Sequence, residues 1–186
     1  MNWLLFSSQL PTHPSSLRVN VWRKLRAVGA LGLQNGVWLL PDRPDQTQFL
    51  AVLLEWIQKQ GASGQIFRVA PLDAAVEQDI LSRFRTEREE EYIEFLERCQ
   101  EFLAEIEKES GKQKYTFAEL EENEQDLQRL EGWFEKIVKR DFTGGEVAGQ
   151  SAVALEKCRA SFEVFSNEVY DRQASVPGQN LNLTEK

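Results

Sequence analysis

The sequence predicts an α+β protein, with an α+β domain in residues 1–72 and a helical bundle in residues 73–174. Two observations lead to this division. In the first part, short apolar segments bounded by Gly, Pro and Asn alternate with helix-length segments, which indicates mixed strands and helices. After residue 73 the apolar residues recur every three or four positions, which is typical of amphipathic helices.

The first segments predict a strand and a capped helix. Residues 3–10 form an apolar run of strand length that ends before a proline. A helix is predicted to continue to about residue 28, with Ser15 or Ser16 as its N-cap. Its apolar positions lie on one face: Leu17, Val21, Leu25 and Val28. Gly29 is predicted to end this helix, because glycine readily adopts the left-handed conformation found after helix C-termini.

A β-hairpin is predicted next. Residues 30–34 and 37–40 are short apolar segments on either side of Asn35-Gly36. Both turn residues tolerate positive φ, so the pair predicts a type I′ turn.

A second helix and a last strand complete the first domain. Asp45 is a candidate N-cap for a helix over residues 46–60, and residues 65–72 are predicted to form the strand. The resulting order β-α-β-β-α-β predicts a ferredoxin-like sandwich with both helices on one face of the sheet. The other face needs a cover, for which we consider a second subunit and the helices that follow.

The remaining sequence predicts long helices that pack as a bundle. Helical spacing runs over residues 73–111, as one helix or a pair. Thr116 and Glu119 match a capping box at the start of the next helix, and residues 151–173 predict the last one. Residues 175–186 are predicted to be a flexible tail.

The composition indicates a cytoplasmic protein. The longest apolar runs are of strand length, whereas a membrane span needs roughly 20 apolar residues, so we expect no membrane partner. No positively charged region precedes Trp3, as it would in a signal peptide. Cys99 and Cys158 lie far apart in helical patterns, which favours two buried thiols in a reducing compartment over a disulfide. The sequence leaves open whether these thiols touch.

Charge is distributed unevenly along the chain. Residues 1–72 contain seven Arg and Lys against three Asp and Glu, a net charge of +4. The other residues contain 15 basic and 27 acidic side chains, a net charge of −12. One explanation is a basic domain packed on an acidic one. The other is that the first domain binds an anion or a nucleic-acid backbone.

The motifs of catalysis and metal binding are missing, so we expect no catalytic residue, no metal and no cofactor. His13 is the sole histidine, and the sequence has neither a G-x-S-x-G elbow nor a glycine-rich phosphate loop. One histidine and two separated cysteines do not make a zinc site. The acidic runs at residues 87–91 and 119–124 are interpreted as solvated helix faces. The protein is therefore predicted not to be an enzyme.

The N-terminus of the first helix is the candidate anion site. His13, Ser15, Ser16 and Arg18 cluster there, and free N–H groups with the helix dipole attract oxyanions at such an end. The alternative is that a serine only caps the helix and Arg18 only pairs with a surface acid.

Four cations on the same helix suggest contact with DNA phosphates: Arg18, Arg23, Lys24 and Arg26. An ordinary amphipathic helix has a similar composition, so this alternative stays open. Trp22 and Trp38 are expected in the core or at its rim, rather than as platforms on which bases stack.

Three segments carry a resemblance to a known family: Trp3-Leu-Leu-Phe, Pro14 to Leu25 with Gly29-Ala30, and Gly36-Val-Trp-Leu-Leu-Pro41. They resemble the N-terminal region of ChrB, the bacterial chromate-resistance regulator. The β-α-β-β-α-β plan is also similar to the middle domain of PaaX-type repressors and to small CRISPR-associated nucleases. Those nucleases place a metal-binding Asp at the end of the first strand, where this chain has Ser7-Ser8-Gln9, so that activity is not expected.

The resemblance to ChrB implies a chromate-responsive regulator of a chromate-efflux operon. ChrB proteins usually carry a further C-terminal domain, whereas this sequence stops at Lys186, and we expect the shorter form to lack part of the sensing. The expected partners are DNA, chromate or another oxyanion, and a second copy of the chain in a homodimer. The alternative is a protein–protein interaction module whose acidic bundle docks a partner.

Overall fold

The computed structural model describes residues 2–13 and 15–174. The elements in chain order are β1 (Trp3–Gln9), α1 (Ser15–Ala27), β2 (Leu31–Gln34), β3 (Val37–Pro41), α2 (Pro44–Lys59), β4 (Ser63–Val69), α3 (Ala74–Gly111), α4 (Phe117–Arg140) and α5 (Glu146–Ala174). These strands and helices confirm the α+β class. The tail predicted at residues 175–186 lies outside the described residues.

The strands form one antiparallel sheet in the order β2-β3-β1-β4. β1 is central, so that Leu5 is opposite Leu39 of β3 and Phe67 of β4. Since β1 and β2 are both antiparallel to β3, they run parallel to each other. Parallel strands need a long crossover, and α1 provides it.

Both helices of this region cover one face of the sheet. Leu4 and Phe6 point from β1 into a buried cluster with apolar residues of α1 and α2. The helical members of this cluster are Leu17, Val21, Leu25, Leu50, Leu53 and Ile57. The predicted apolar face of α1 therefore packs on the sheet.

The opposite face of the sheet is covered in part by the helices that follow. The Trp3 ring stacks on Phe84 of α3, with centroids 5.4 Å apart and an interplanar angle of 10°. Phe142, which follows α4, packs edge-on against Phe84 at 5.9 Å. The sequence left open whether a second subunit or the later helices cover this face. Around Trp3, the later part of the chain covers it. Phe67 on the edge strand β4 stays half exposed.

Gly29 ends α1 as predicted. It has φ +77°, and the N–H groups of Gly29 and Ala30 donate to the carbonyls of Arg26 and Leu25, which is the Schellman arrangement. The end of α2 repeats this pattern at Gly61.

The predicted N-caps are wrong. α1 already begins at Ser15, so neither Ser15 nor Ser16 stands before the helix. Asp45 lies inside α2, whose N-cap is Arg43, without a side-chain capping hydrogen bond. Pro44 starts α2 instead, since its fixed φ suits the first helical position and no N–H is lost.

The predicted type I′ turn is also wrong. It requires positive φ at both turn residues, but only Gly36 of the pair has it, at +77°. The pairing of β2 with β3 shifts register between Gly32 and Gln34. The hairpin itself is present, since Gln34 still pairs with Val37 across the turn.

α3 is one helix of 38 residues, not a pair, and it ends at Gly111 as predicted. The left-handed residue that follows is Gln113, with φ 55°, and the Lys114 N–H donates to the Glu109 carbonyl at 3.0 Å. Half of the predicted capping box forms, since the Glu119 N–H donates to Thr116 Oγ1 at 3.3 Å.

The chain forms two compact units. The first comprises the described residues through Glu91 together with Lys136–Gly145, and the second comprises Tyr92–Glu135 and the described residues from Glu146. The sequence-based division after residue 72 followed the change from strands to helices, whereas this division lies inside α3 and α4. In the second unit Phe95 packs against Trp133 and Phe134, with ring centroids 5.6 and 5.2 Å away.

Candidate functional site

The burial of one face of α1 directs its basic residues outward. Leu17, Val21 and Leu25 are buried on the sheet, so the residues between them face solvent. Arg18, Arg23 and Lys24 are exposed. Among the described residues, none of these three cations forms an ion pair with a carboxylate.

Arg18 connects the start of α1 to the preceding loop. Its Nη2 donates to the Thr12 carbonyl oxygen at 3.0 Å. His13, Ser15 and Ser16 are exposed beside it, and the first turn of α1 contains no acidic residue. The structure thus brings the predicted anion-binding residues to one end of the helix, and their binding of an anion stays a prediction.

The other cations of α1 lie on different sides of the helix. Lys24 Nζ lies 5.4 Å from the centroid of the Trp56 ring of α2, within the range of a cation–π contact. Arg23 is exposed. Arg26 is half buried, and its Nη1 lies 2.5 Å from Glu87 Oε2 of α3. Of the four predicted DNA-contacting cations, Arg26 is therefore the one whose charge is already neutralised.

Arg26 belongs to a partly buried ion-pair network. Glu87 also pairs with Arg88 at 3.4 Å, and Glu91 pairs with Arg88 at 2.9 Å and with Arg140 at 2.8 Å. Arg88 is only 3% exposed, and burial lowers the pKa of Arg140. The interpretation of residues 87–91 as a solvated helix face is therefore wrong in part, because Arg88 is buried and Glu87 and Glu91 are partly buried, whereas Glu90 is exposed.

A cleft beside α1 joins the predicted site residue Arg18 to residues that the sequence did not suggest as a site. It has a volume of about 650 Å³ and lies between α1, the end of β1 and the β2–β3 hairpin. Arg18 and Trp22 line it from α1, and Trp38 lines it from β3. Trp22 is 53% exposed, so it lies at the rim, one of the two positions expected for it. The spacing of Arg18 and Trp22 by one helical turn was the available sequence signal.

A buried carboxyl group lies in the second unit. Glu109 is 4% exposed and accepts a hydrogen bond from Asn123 Nδ2 at 2.6 Å. Burial, together with a hydrogen bond to Glu119, raises the pKa of Glu109 to about 7. That same hydrogen bond, followed by one from Lys114, lowers the pKa of Glu119. The acidic run at residues 119–124 is therefore not wholly solvated either, since Asn123 is buried.

Cys99 and Cys158 meet between α3 and α5. The Cys158 thiol donates to the Cys99 carbonyl oxygen at 3.7 Å, and both side chains are buried. A hydrogen bond with Cys158, followed by burial, raises the pKa of the Cys99 thiol. Both are free thiols, as the sequence predicted.

Neither a metal-ligand cluster nor a membrane-spanning helix is seen in the described residues. Within residues 2–13 and 15–174, no three His, Cys, Asp or Glu side chains come together as metal ligands. No helix in that part of the chain is long and apolar enough to cross a bilayer.

These features define the class: an α+β protein whose first helix presents exposed cations beside an aromatic cleft, continued by an acidic helical unit. Residues 18–176 match the family model described as Protein ChrB, N-terminal. The match covers most of the chain, which therefore belongs to the ChrB N-terminal family. Protein ChrB of Cupriavidus metallidurans is 32% identical over 96 residues, which are 50% of this chain and 28% of that protein.

Proposed function

We propose that this chain is a non-enzymatic regulator or accessory factor of chromate resistance that binds DNA phosphates through α1. The observation that carries the proposal is the exposure of Arg18, Arg23 and Lys24 without carboxylate partners among the described residues. Unpaired surface cations release counterions from DNA on binding, which is the main source of sequence-independent affinity. Membership of the ChrB N-terminal family supports the link to chromate.

The proposal includes the ferredoxin-like topology and a cytoplasmic location. The strand order β2-β3-β1-β4, with α1 and α2 on one face, supports the topology. Two free buried thiols support a reducing compartment.

DNA binding can be measured by fluorescence anisotropy with a labelled duplex taken from upstream of the chain's own operon. We expect binding at low salt, with an affinity that falls steeply as salt rises. Replacing Arg18, Arg23 and Lys24 by alanine should reduce the slope of log K against log salt by about one for each phosphate that the helix no longer neutralises.

Lys59→Ala is the matched control, because Lys59 is an exposed cation in the last turn of α2. It should leave the slope nearly unchanged. If the duplex fails to bind at low salt, or if the triple variant binds like the wild type, α1 is not a DNA-contacting helix.

The oxyanion part of the proposal is tested separately. Calorimetry with chromate and with sulfate should show binding that weakens in Arg18→Ala, since Arg18 is the exposed guanidinium at the start of α1. Equal binding by Arg18→Ala and wild type would move any anion site away from this helix end.

A protein–protein interaction module is the second candidate function. One observation favours it: Phe117 and Tyr170 of the second unit pack edge-on at 5.6 Å, yet both are more than half exposed. Exposed aromatic residues are common in docking surfaces. Sedimentation of the wild type and of Phe117→Ala distinguishes self-association from docking of a different protein. If the wild type is a homodimer and the variant is not, this aromatic pair belongs to the dimer interface.

A further inference from the structure

The cleft beside α1 has the size of a small-molecule site. Its volume of about 650 Å³ falls within the usual range of roughly 300–1,000 Å³ for ligand pockets. All of it belongs to the first unit. Its lining is mixed: apolar residues include Leu10, Val21 and Leu33, and the aromatic, amide and charged residues are Gln9, Arg18, Trp22, Gln34, Asn35 and Trp38.

Two indole rings face this space. Trp22 projects from α1 and is 53% exposed, which leaves much of a large apolar ring in contact with water. Trp38 is half buried on β3. Opposite Trp38 in the sheet stands Gly32, where an added Cβ would lie 3.4 Å from the ring. The Trp38 ring therefore lies over the Gly32 backbone at one wall of the cleft.

The polar lining groups suit a planar anionic ligand. Among the residues that the structure describes, Arg18 is the charged one that lines the cleft, and no carboxylate lines it. Because one nitrogen of Arg18 is bonded to the Thr12 carbonyl, the guanidinium is anchored while its other N–H groups stay available. Gln34 and Asn35 add carboxamides, which donate and accept hydrogen bonds as the edges of nucleobases require.

We propose that this cleft binds one nucleotide, with the base stacked on Trp22 and the phosphate on Arg18. This inference rests in part on the proposed function, because a strand held by α1 would deliver its nucleotide into the cleft. The same chemistry occurs in a free mononucleotide and in an unpaired nucleotide of a strand. Stacking on an aromatic side chain tolerates every base, so the site selects unpaired nucleotides more than a sequence.

The test compares a labelled ten-residue oligothymidylate with a labelled 20-base-pair duplex, each titrated with the full chain at fixed salt. Trp22→Ala should weaken oligothymidylate binding roughly 5- to 150-fold and change duplex binding much less. Trp22→Phe should retain most of the affinity, since it keeps a stacking face. Val19→Ala, exposed on the same helix, is the matched control and should bind like the wild type.

Unlabelled thymidine 5′-monophosphate identifies the source of the nucleotide. Competition at millimolar concentration assigns the cleft to a free nucleotide, and competition by the strand alone assigns it to a nucleotide within a strand. Equal oligothymidylate binding by Trp22→Ala and wild type, with circular dichroism confirming that both are folded, would overturn the inference. Failure of the proposed function gives a different result: the duplex would not bind, whereas oligothymidylate binding would still depend on Trp22.

Discussion

The two units hold buried ionisable groups in opposite ways. In the first unit, the buried Arg88 forms ion pairs with Glu87 and Glu91. In the second unit, Glu109 has a pKa raised to about 7 and so keeps its proton at slightly acidic pH. A guanidinium is effectively always charged and must be paired, whereas a carboxyl group can be neutralised. A helix rich in charged residues can therefore contain either a buried ion that is paired or a buried acid that is neutral.

The units also end their helices differently. α1 and α2 of the first unit are each followed by a glycine with φ +77°. α3 is followed in the second unit by Gln113, which adopts φ 55° with a side chain. A non-glycine residue in the left-handed region costs roughly 1 kcal/mol, so this end of α3 carries local strain that the glycine ends avoid.

The largest effect should come from breaking the ion-pair network. Glu91→Gln removes the carboxylate shared by Arg88 and Arg140 and should lower the free energy of unfolding by about 3 kcal/mol. Urea denaturation at pH 7 measures it. Glu90→Gln, an exposed neighbour, is the control and should cost less than about 0.5 kcal/mol. A small loss in Glu91→Gln would mean that the buried guanidiniums are solvated after all.

The glycine ends of the first unit should differ from each other. Gly29→Ala places a Cβ 2.7 Å from the Arg140 carbonyl oxygen, whereas Gly61→Ala, at the same φ, meets no atom of the described residues within 4 Å. We expect Gly61→Ala to cost about 1 kcal/mol and Gly29→Ala about 2–3 kcal/mol. Thermal unfolding of both variants gives the difference, and equal melting temperatures would show that the backbone at Arg140 moves aside.

Glu109 should make the second unit sensitive to pH. Its folded pKa of about 7 lies above the ordinary value of 4.5, so its stabilising contribution is complete below pH 4.5 and is lost as the pH rises through 7. The free energy of unfolding should fall by about 2 kcal/mol from this group between those pH values. Glu109→Gln should flatten the profile, since it keeps an acceptor for Asn123. Glu107→Gln, an exposed control, should leave the profile unchanged.

The smallest effect tests the strained end of α3. Gln113→Gly should raise the free energy of unfolding by roughly 0.5–1 kcal/mol, because glycine adopts the left-handed conformation without steric cost. Hydrogen exchange at the Lys114 amide, which donates to Glu109, should slow as well. Destabilisation would instead indicate that the entropy that glycine loses on folding costs more free energy than the relief of strain contributes.

Local signals in the sequence predicted the fold well. Gly29 and the four-residue spacing of Leu17, Val21 and Leu25 depend on neighbours in the chain, and the structure confirms them. The type I′ turn predicted at Asn35 and the N-cap predicted at Asp45 are wrong, because residues that favour turns and caps also occur in other local conformations. The sequence also predicts the basic face of α1, since burial of the apolar face on the sheet leaves most of the cations exposed to solvent.

The rest of the site depends on residues that are distant in the sequence. The pairing of Arg26 with Glu87 crosses 61 positions, so no local pattern could show that this cation is neutralised. The cleft joins the end of β1 to the hairpin and α1, and its shape follows from strand pairing. Trp22 shows the limit most clearly, since an indole on a helix is ambiguous between core and surface until the packing is known.

The first unit is discontinuous in the chain, and this has a consequence for its synthesis. Gly29 lies against the Arg140 backbone, Phe84 against Phe142, and Glu91 against Arg140. A nascent polypeptide that has left the ribosome only as far as Glu91 lacks all three partners. We therefore expect the β-sheet region to complete its folding only after the segment around Phe142 has emerged, and a gene fragment cut at Glu91 to yield an incomplete domain.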